Sequence, residues 1–84
     1  MPSIFVMNVP EFRPLVDYSK TQAHYKVEGP RLGYFRISGE PVLTFKRKEL
    51  GVKPAVWHGL LTGGLMGKIT HFDNDSLTIE GLAA

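Results

Sequence analysis

Three histidines are the residues of this chain best suited to binding a metal or moving a proton. They are His24, His58 and His71, and the closest two are 13 residues apart, which is unlike the short ligand spacings of zinc sites. His71 has the same strand parity as Ile69, so we expect it on an inner face as a hydrogen-bonded core histidine. The histidines therefore predict no metal site.

Asp73 and Asp75 are the only closely spaced acidic pair near a glycine-rich segment. They flank the tip of a predicted turn, where short polar side chains usually cap their own backbone. A catalytic carboxylate pair is the alternative, and the structural role is favoured.

The glycine-rich segment 62–68 ends in Gly67-Lys68 and so invites comparison with a phosphate loop. The pattern fails because Ile69 replaces the hydroxyl residue that should hold magnesium. The favoured role of these glycines is to stop a helix and let the backbone pack closely, and a backbone nest for an anion beside Lys68 is the alternative. No serine lies in a nucleophile elbow and the chain has no cysteine, so we predict a protein that is not an enzyme, with no catalytic residue and no cofactor.

Basic residues interleaved with aromatic ones are the remaining candidates for chemistry. Four of them lie on neighbouring predicted strands, and we expect them on one sheet face: Lys26, Tyr34, Arg36 and Lys46. The basic cluster then continues through Arg47, Lys48 and Lys53. Such a surface suits single-stranded nucleic acid, which is bound through phosphate charge and base stacking. The alternative is a face that is basic only for solubility.

Segment 48–64 resembles the turn and recognition helix of helix-turn-helix domains. The resemblance is carried by apolar and glycine positions at Leu50, Gly51, Val52, Trp57 and Leu60. It would imply binding to duplex DNA. The upstream half departs from the family pattern, because Arg47 stands where a small residue lets two helices touch. No second helix is predicted before Leu50, so this function is not favoured.

Strands are the elements that must position most of these residues. Alternating or β-branched segments predict strands at 3–9, 23–28, 34–37 and 42–46, with Phe35, Ile37, Leu43 and Phe45 facing inward. Gly29-Pro30 and 39–41 are predicted turns, and 10–20 an irregular connection with one helical turn at 14–18.

One short helix is predicted at about 54–61. Pro54 suits its first position, and the apolar stripe of Val56, Trp57, Leu60 and Leu61 is expected to hold it by packing. Gly63 and Gly64 then end it.

A C-terminal hairpin is predicted at 68–80, with a three-residue loop at 73–75. That loop sets Lys68 opposite Glu80, Ile69 opposite Ile79, Thr70 opposite Thr78 and His71 opposite Leu77. A two-residue loop would instead set Ile69 against Glu80.

Length and composition bound the architecture. The chain has 84 residues, 43% of them hydrophobic and 21% charged, which predicts one small folded domain over 1–84. We predict a mainly β (α+β) fold: a small curved antiparallel sheet, or a barrel-like domain, of about six strands with one short helix before the hairpin.

Function is predicted in two versions. The leading one is a non-catalytic protein-interaction module or accessory subunit that forms a homo-oligomer or binds a protein partner, because so small a core gains from a partner surface. The alternative is a basic protein that binds nucleic acid. Because no targeting or membrane-spanning segment is evident, we predict no membrane association and a cytoplasmic location.

Overall fold

The computed structural model describes residues 1–81 as two small antiparallel sheets with short helices around them. The strands are β1 (Ser3–Met7), β2 (Tyr25–Arg31), β3 (Tyr34–Gly39), β4 (Val42–Lys46), β5 (Leu65–Met66), β6 (Lys68–Phe72) and β7 (Ser76–Glu80). The helices are α1 (Arg13–Lys20), α2 (Arg47–Leu50) and α3 (Pro54–His58), with 3₁₀ turns at Pro10–Phe12 and Leu60–Gly63. The mainly β, α+β fold class is confirmed, and the strands divide between two sheets.

Sheet A has the strand order β2-β3-β1-β5, and sheet B has the order β4-β7-β6. All strand pairs are antiparallel. In sheet A, β1 pairs with β3 and β5 and not with β2, the strand that follows it in the chain. The inner faces of both sheets share one apolar core, in which Trp57 and Phe45 are the largest fully buried side chains. Phe35, Ile37, Leu43 and Phe45 all face this core, as the alternation predicts.

Helix α1 is longer than the single turn predicted at 14–18. Leu15, Val16 and Ser19 form its buried side, and the Ser19 hydroxyl donates to the Leu15 carbonyl. Pro14 lies in its first turn, where a missing N–H costs nothing. The helix thus covers the inner side of sheet A, a tertiary contact that a mixed local sequence does not reveal.

The helix predicted at about 54–61 is interrupted. α3 ends at His58, Gly59 caps it, and the chain continues as the 3₁₀ turn Leu60–Gly63. Trp57 is nevertheless fully buried and anchors the segment, as predicted. The structure has seven strands where about six are predicted. The additional strand is β5, which is only two residues long.

The turn predicted at Gly29-Pro30 is wrong. These residues form an irregularity inside β2, where the register with β3 shifts between Glu28 and Arg31. The chain reverses one step later, at Leu32 and Gly33. A proline is tolerated there because β2 is an edge strand.

The Tyr25 side chain links an edge of sheet A to an edge of sheet B by hydrogen bonds. The Thr44 N–H donates to the Tyr25 hydroxyl (2.8 Å), and the same hydroxyl donates to the Thr44 carbonyl (2.9 Å). Because β4 is an edge of sheet B and β2 an edge of sheet A, this side chain satisfies backbone groups that would otherwise face solvent.

Candidate functional site

The predicted basic and aromatic face is divided between the two sheets. Lys26, Tyr34 and Arg36 lie on the outer side of sheet A, whereas Lys46 lies on β4 of sheet B. The expectation of one face containing all four is therefore wrong, because β4 pairs with β7 and not with β3.

The other predicted basic residues lie near Lys46. Lys48 is exposed on α2, and Lys53 is exposed just before α3. Arg47 has a structural role instead, since its guanidinium donates to the Asn74 carbonyl (2.8 Å) and approaches the Asp75 carboxylate (3.8 Å). α2 and α3 have only four and five residues, so the segment that resembles a helix-turn-helix lacks a helix long enough to read a groove.

The outer side of sheet A forms an ordered grid, because the strand registers align its side chains in rows. One row contains Glu28, Arg36 and Phe5, and the next contains Arg31, Tyr34 and Met7. Each row therefore runs from charged groups on β2 to apolar groups on β1.

A cleft of about 620 Å³ opens over these two rows. Its walls are Phe5, Glu28, Gly29, Arg31, Leu32, Tyr34, Arg36 and Gly63. The shifted register of β2 and the tip of the β2–β3 hairpin form one side, and the 3₁₀ turn Leu60–Gly63 forms the other. We call this the sheet A cleft. Two of the predicted residues, Tyr34 and Arg36, line it.

Two contacts position the Arg36 side chain in the cleft. Its Nε–H donates to the Ser3 hydroxyl (3.3 Å), and its guanidinium carbon lies 5.9 Å from the centre of the Phe5 ring. Ser3 is buried and shares a 2.9 Å hydrogen bond with the Ser38 hydroxyl. This contact leaves the terminal guanidinium nitrogens, which carry most of the N–H donors of arginine, for other partners.

Charge and exposed aromatic surface coincide in the cleft. Arg31 and Arg36 face a single carboxylate, Glu28, whose Oε1 lies 4.0 Å from the Lys26 Nζ. Tyr34 is 39% exposed, and Phe5 is half-buried beneath Arg36. The cleft can therefore accept a planar group on its aromatic side and an anion on its arginine side.

Gly63 lets the 3₁₀ turn approach β1. A Cβ at this position would lie 2.1 Å from the Phe5 carbonyl oxygen and 3.3 Å from the Tyr34 ring. The Phe5 N–H donates to the neighbouring Gly64 carbonyl (3.0 Å). Gly63 thus lets the backbone pack closely, as predicted for these glycines, and it shapes one wall of the cleft, which the sequence did not predict.

A second polar cluster surrounds the loop 73–75, and we call it the turn clamp. The Trp57 indole N–H donates to the Asp73 carbonyl (2.7 Å), and His58 Nε2 hydrogen-bonds to Asn74 Oδ1 (3.0 Å). Arg47 holds Asn74 and Asp75, as described above. His71 also contacts the loop, through its Nε2 and Asp73 Oδ2 (2.9 Å), so the side chains of Trp57, His58, Arg47 and His71 all hold it.

His71 lies in the turn clamp and not in the core. The register of β6 and β7 shifts after Ile69, so His71 takes the place predicted for Thr70 opposite Thr78, and Phe72 takes the place predicted for His71 opposite Leu77. The last pair, Phe72 and Leu77, then encloses four residues, so the predicted three-residue loop is wrong. Lys68 faces Glu80 and Ile69 faces Ile79, as predicted. The expectation of an inner His71 is wrong, because the shift turns Phe72 onto Trp57 and His71 towards solvent.

Asp73 caps its own turn, as predicted. Its Oδ1 accepts the N–H groups of Asp75 and Ser76, both at 2.8 Å, and its Oδ2 meets His71 Nε2 at 2.9 Å. The bonds from Asp75 and then Ser76 lower the pKa of this carboxyl below its usual value. Within residues 1–81 no group of three or more potential ligands could hold a metal ion.

No protein-family model matches the chain, and no curated protein is similar enough to count as a relative. No helix in residues 1–81 is both long and apolar enough to cross a membrane. Function is therefore inferred from the chemistry of the sheet A cleft.

Proposed function

We propose that this protein binds single-stranded nucleic acid through the sheet A cleft. The observation that supports this most is Arg36, fixed over the Phe5 ring beside the exposed Tyr34 ring. Single-stranded nucleic acid needs this combination, because its bases present flat faces and its backbone carries phosphates.

Stacking accounts for the aromatic side of the cleft. Phe5 and Tyr34 lie on the adjacent strands β1 and β3, one row apart, on the same outer side of sheet A. A solvent-exposed sheet surface with aromatic side chains on its central strands offers bases a platform without requiring a sequence.

Phosphate binding accounts for the charged side. Lys26, Arg31 and Arg36 outnumber Glu28 on the outer side of β2 and β3. Because Arg36 already hydrogen-bonds to Ser3 and lies over the Phe5 ring, it loses less side-chain freedom when it binds a phosphate than an unrestrained arginine would.

Fluorescence anisotropy with labelled single-stranded DNA and RNA 12-mers of mixed sequence tests the proposal. The fold depends little on exposed Tyr34, so Tyr34→Ala should weaken binding by about 5-fold to 100-fold, the usual range for losing one base stack. Arg36→Gln should also weaken binding and should reduce its salt dependence.

Lys48→Gln is the matched control for Arg36→Gln, because it removes one positive charge far from the cleft in sequence and on a different element. Its dissociation constant should stay within about twofold of the wild type. Equal weakening by both variants, or no binding by the wild-type protein, would contradict the proposed site.

Self-association is a second candidate, favoured by the position of segment 65–72. Both strands in it, β5 and β6, are sheet edges, so each has one side without a strand neighbour among the described residues. Met66 and Ile69 are 55% and 39% exposed on these edges. A second copy of the chain can extend such an edge by main-chain pairing.

Light scattering after size exclusion tests this candidate. Wild-type protein should elute as a dimer or larger assembly, and Ile69→Lys should return it to the monomer, because a charge on an edge strand opposes pairing. Lys48→Gln again serves as the control. A wild-type monomer at high concentration would exclude this candidate.

A further inference from the structure

Leu32 is in a backbone conformation that its side chain disfavours. With Gly33 it forms the two-residue loop between Arg31 and Tyr34, and the φ angles of the two loop residues are +54° and +81°. A hairpin loop with positive φ at both positions favours Asn-Gly or Asp-Gly, because leucine in the left-handed region meets a steric clash.

Burial does not compensate for this conformation. Leu32 is 91% exposed, the most exposed of the large apolar side chains of residues 1–81. A leucine that is both strained and exposed contributes nothing evident to folding. Residues that adopt a disfavoured backbone conformation without compensating burial are expected mainly at functional sites.

The loop is held firmly at the edge of the cleft. The Asn8 N–H donates to the Gly33 carbonyl (2.8 Å), which ties the hairpin tip to the end of β1. Leu32 lines the cleft together with Tyr34 and Phe5. The backbone that carries Leu32 is therefore anchored next to the surface on which we propose that bases stack.

We propose that Leu32 is a ligand-contacting residue that packs against a base seated in the sheet A cleft. This inference rests on the proposed function. Apolar side chains serve as wedges against bases in other nucleic-acid complexes, because they bury their surface without requiring a particular hydrogen-bonding edge. In the bound state Leu32 would cover one face of the base, with Tyr34 or Phe5 on the other.

The decisive variant is Leu32→Asn, because the strain and the contact predict opposite effects. Asparagine suits the left-handed conformation, so urea unfolding should show a midpoint equal to or above that of the wild type. Binding of the labelled 12-mers should nevertheless weaken about tenfold, since burying a leucine is worth about that factor or more. Trp57, fully buried, reports unfolding by its fluorescence.

Two further variants act as controls. Leu32→Met keeps an apolar side chain and should bind within about twofold of the wild type. Met66→Asn removes an exposed apolar side chain from β5, outside the cleft, and should leave binding unchanged.

The outcomes separate this inference from the function on which it rests. If the wild type binds and Leu32→Asn binds equally well, the contact is overturned and the cleft stands. If the wild type does not bind, both are overturned. If Leu32→Asn changes only the mass measured by light scattering, the residue serves self-association and the inference is wrong.

Discussion

The turn clamp and the sheet A cleft contain similar residue types but use them differently. In the turn clamp, Trp57, His58 and Arg47 direct their polar atoms at the loop 73–75. In the sheet A cleft, the Arg36 side chain donates one hydrogen bond among residues 1–81, from Nε to the Ser3 hydroxyl, while Tyr34 is exposed. Polar groups that are already satisfied stabilise a fold, whereas groups held in place without partners are suited to a ligand.

The same comparison applies to backbone conformation. Asp73, at the tip of the β6–β7 hairpin, is a residue type that suits its turn and accepts two backbone N–H groups. Leu32, at the tip of the β2–β3 hairpin, does not suit its positive φ. One hairpin is thus built for stability, and we infer that the other is built for binding.

Trp57→Phe should break the turn clamp with the largest effect. The change leaves the Asp73 carbonyl without its indole donor and opens space in the core, which should lower the free energy of unfolding by about 2 to 3 kcal/mol. Urea unfolding followed by circular dichroism measures the loss. Oligonucleotide binding by the folded variant should stay within about twofold of the wild type, and a large loss of affinity would show that the two regions are not separate.

Gly63→Ala should disturb the cleft and the fold together. The added methyl group meets the Phe5 carbonyl, so the 3₁₀ turn must move, at a cost of about 1 to 3 kcal/mol. Affinity should fall as well, because Phe5 and Tyr34 adjoin this glycine. Both quantities are measurable on the same sample by urea unfolding and anisotropy.

Gly59→Ala is the matched control for that change. Its Cβ would make ordinary contacts at 3.5 Å, and its φ of −83° suits alanine. Stability should be unchanged or higher by about 0.5 kcal/mol, with unchanged affinity. Equal destabilisation by both alanines would contradict the close approach assigned to Gly63.

Acid should weaken the turn clamp through Asp73, with the smallest of these effects. The pKa of the folded carboxyl is lowered by the N–H groups of Asp75 and Ser76, so its contribution to stability is complete above about pH 5 and is lost as the pH falls through the folded pKa. In Asp73→Asn the side-chain oxygen still accepts these bonds but does not titrate. The Tm difference between wild type and variant should therefore shrink from pH 7 to pH 2, and a constant difference would contradict this role.

The sequence predicts strand faces well and strand partners poorly. Alternation correctly orients Phe35, Ile37, Leu43 and Phe45, because side chains on a strand point to opposite faces with a period of two. It contains no information on which strand pairs with which. Alternation alone therefore places Lys46 with Arg36, although β4 belongs to sheet B.

Single-residue shifts in strand register account for most other differences between the predicted and the observed fold. A shift after Ile69 moves His71 from the inner face to solvent, and a shift between Glu28 and Arg31 carries β2 past its predicted turn. Two of the eight residues that line the cleft, Tyr34 and Arg36, were predicted from charge and aromatic spacing. Phe5 and Gly63 were not, because only the fold brings β1 and the 3₁₀ turn beside β3.

The most direct test of the sheet A cleft is an amide NMR titration of the isotope-labelled protein with a mixed-sequence single-stranded 12-mer, at low salt and at about 200 mM salt. We expect shifts concentrated at Phe5, Leu32, Tyr34 and Arg36, and persisting in part at the higher salt because stacking does not depend on charge. Shifts concentrated at 46–53 instead, or only diffuse shifts that disappear with salt, would contradict the assignment of binding to this cleft.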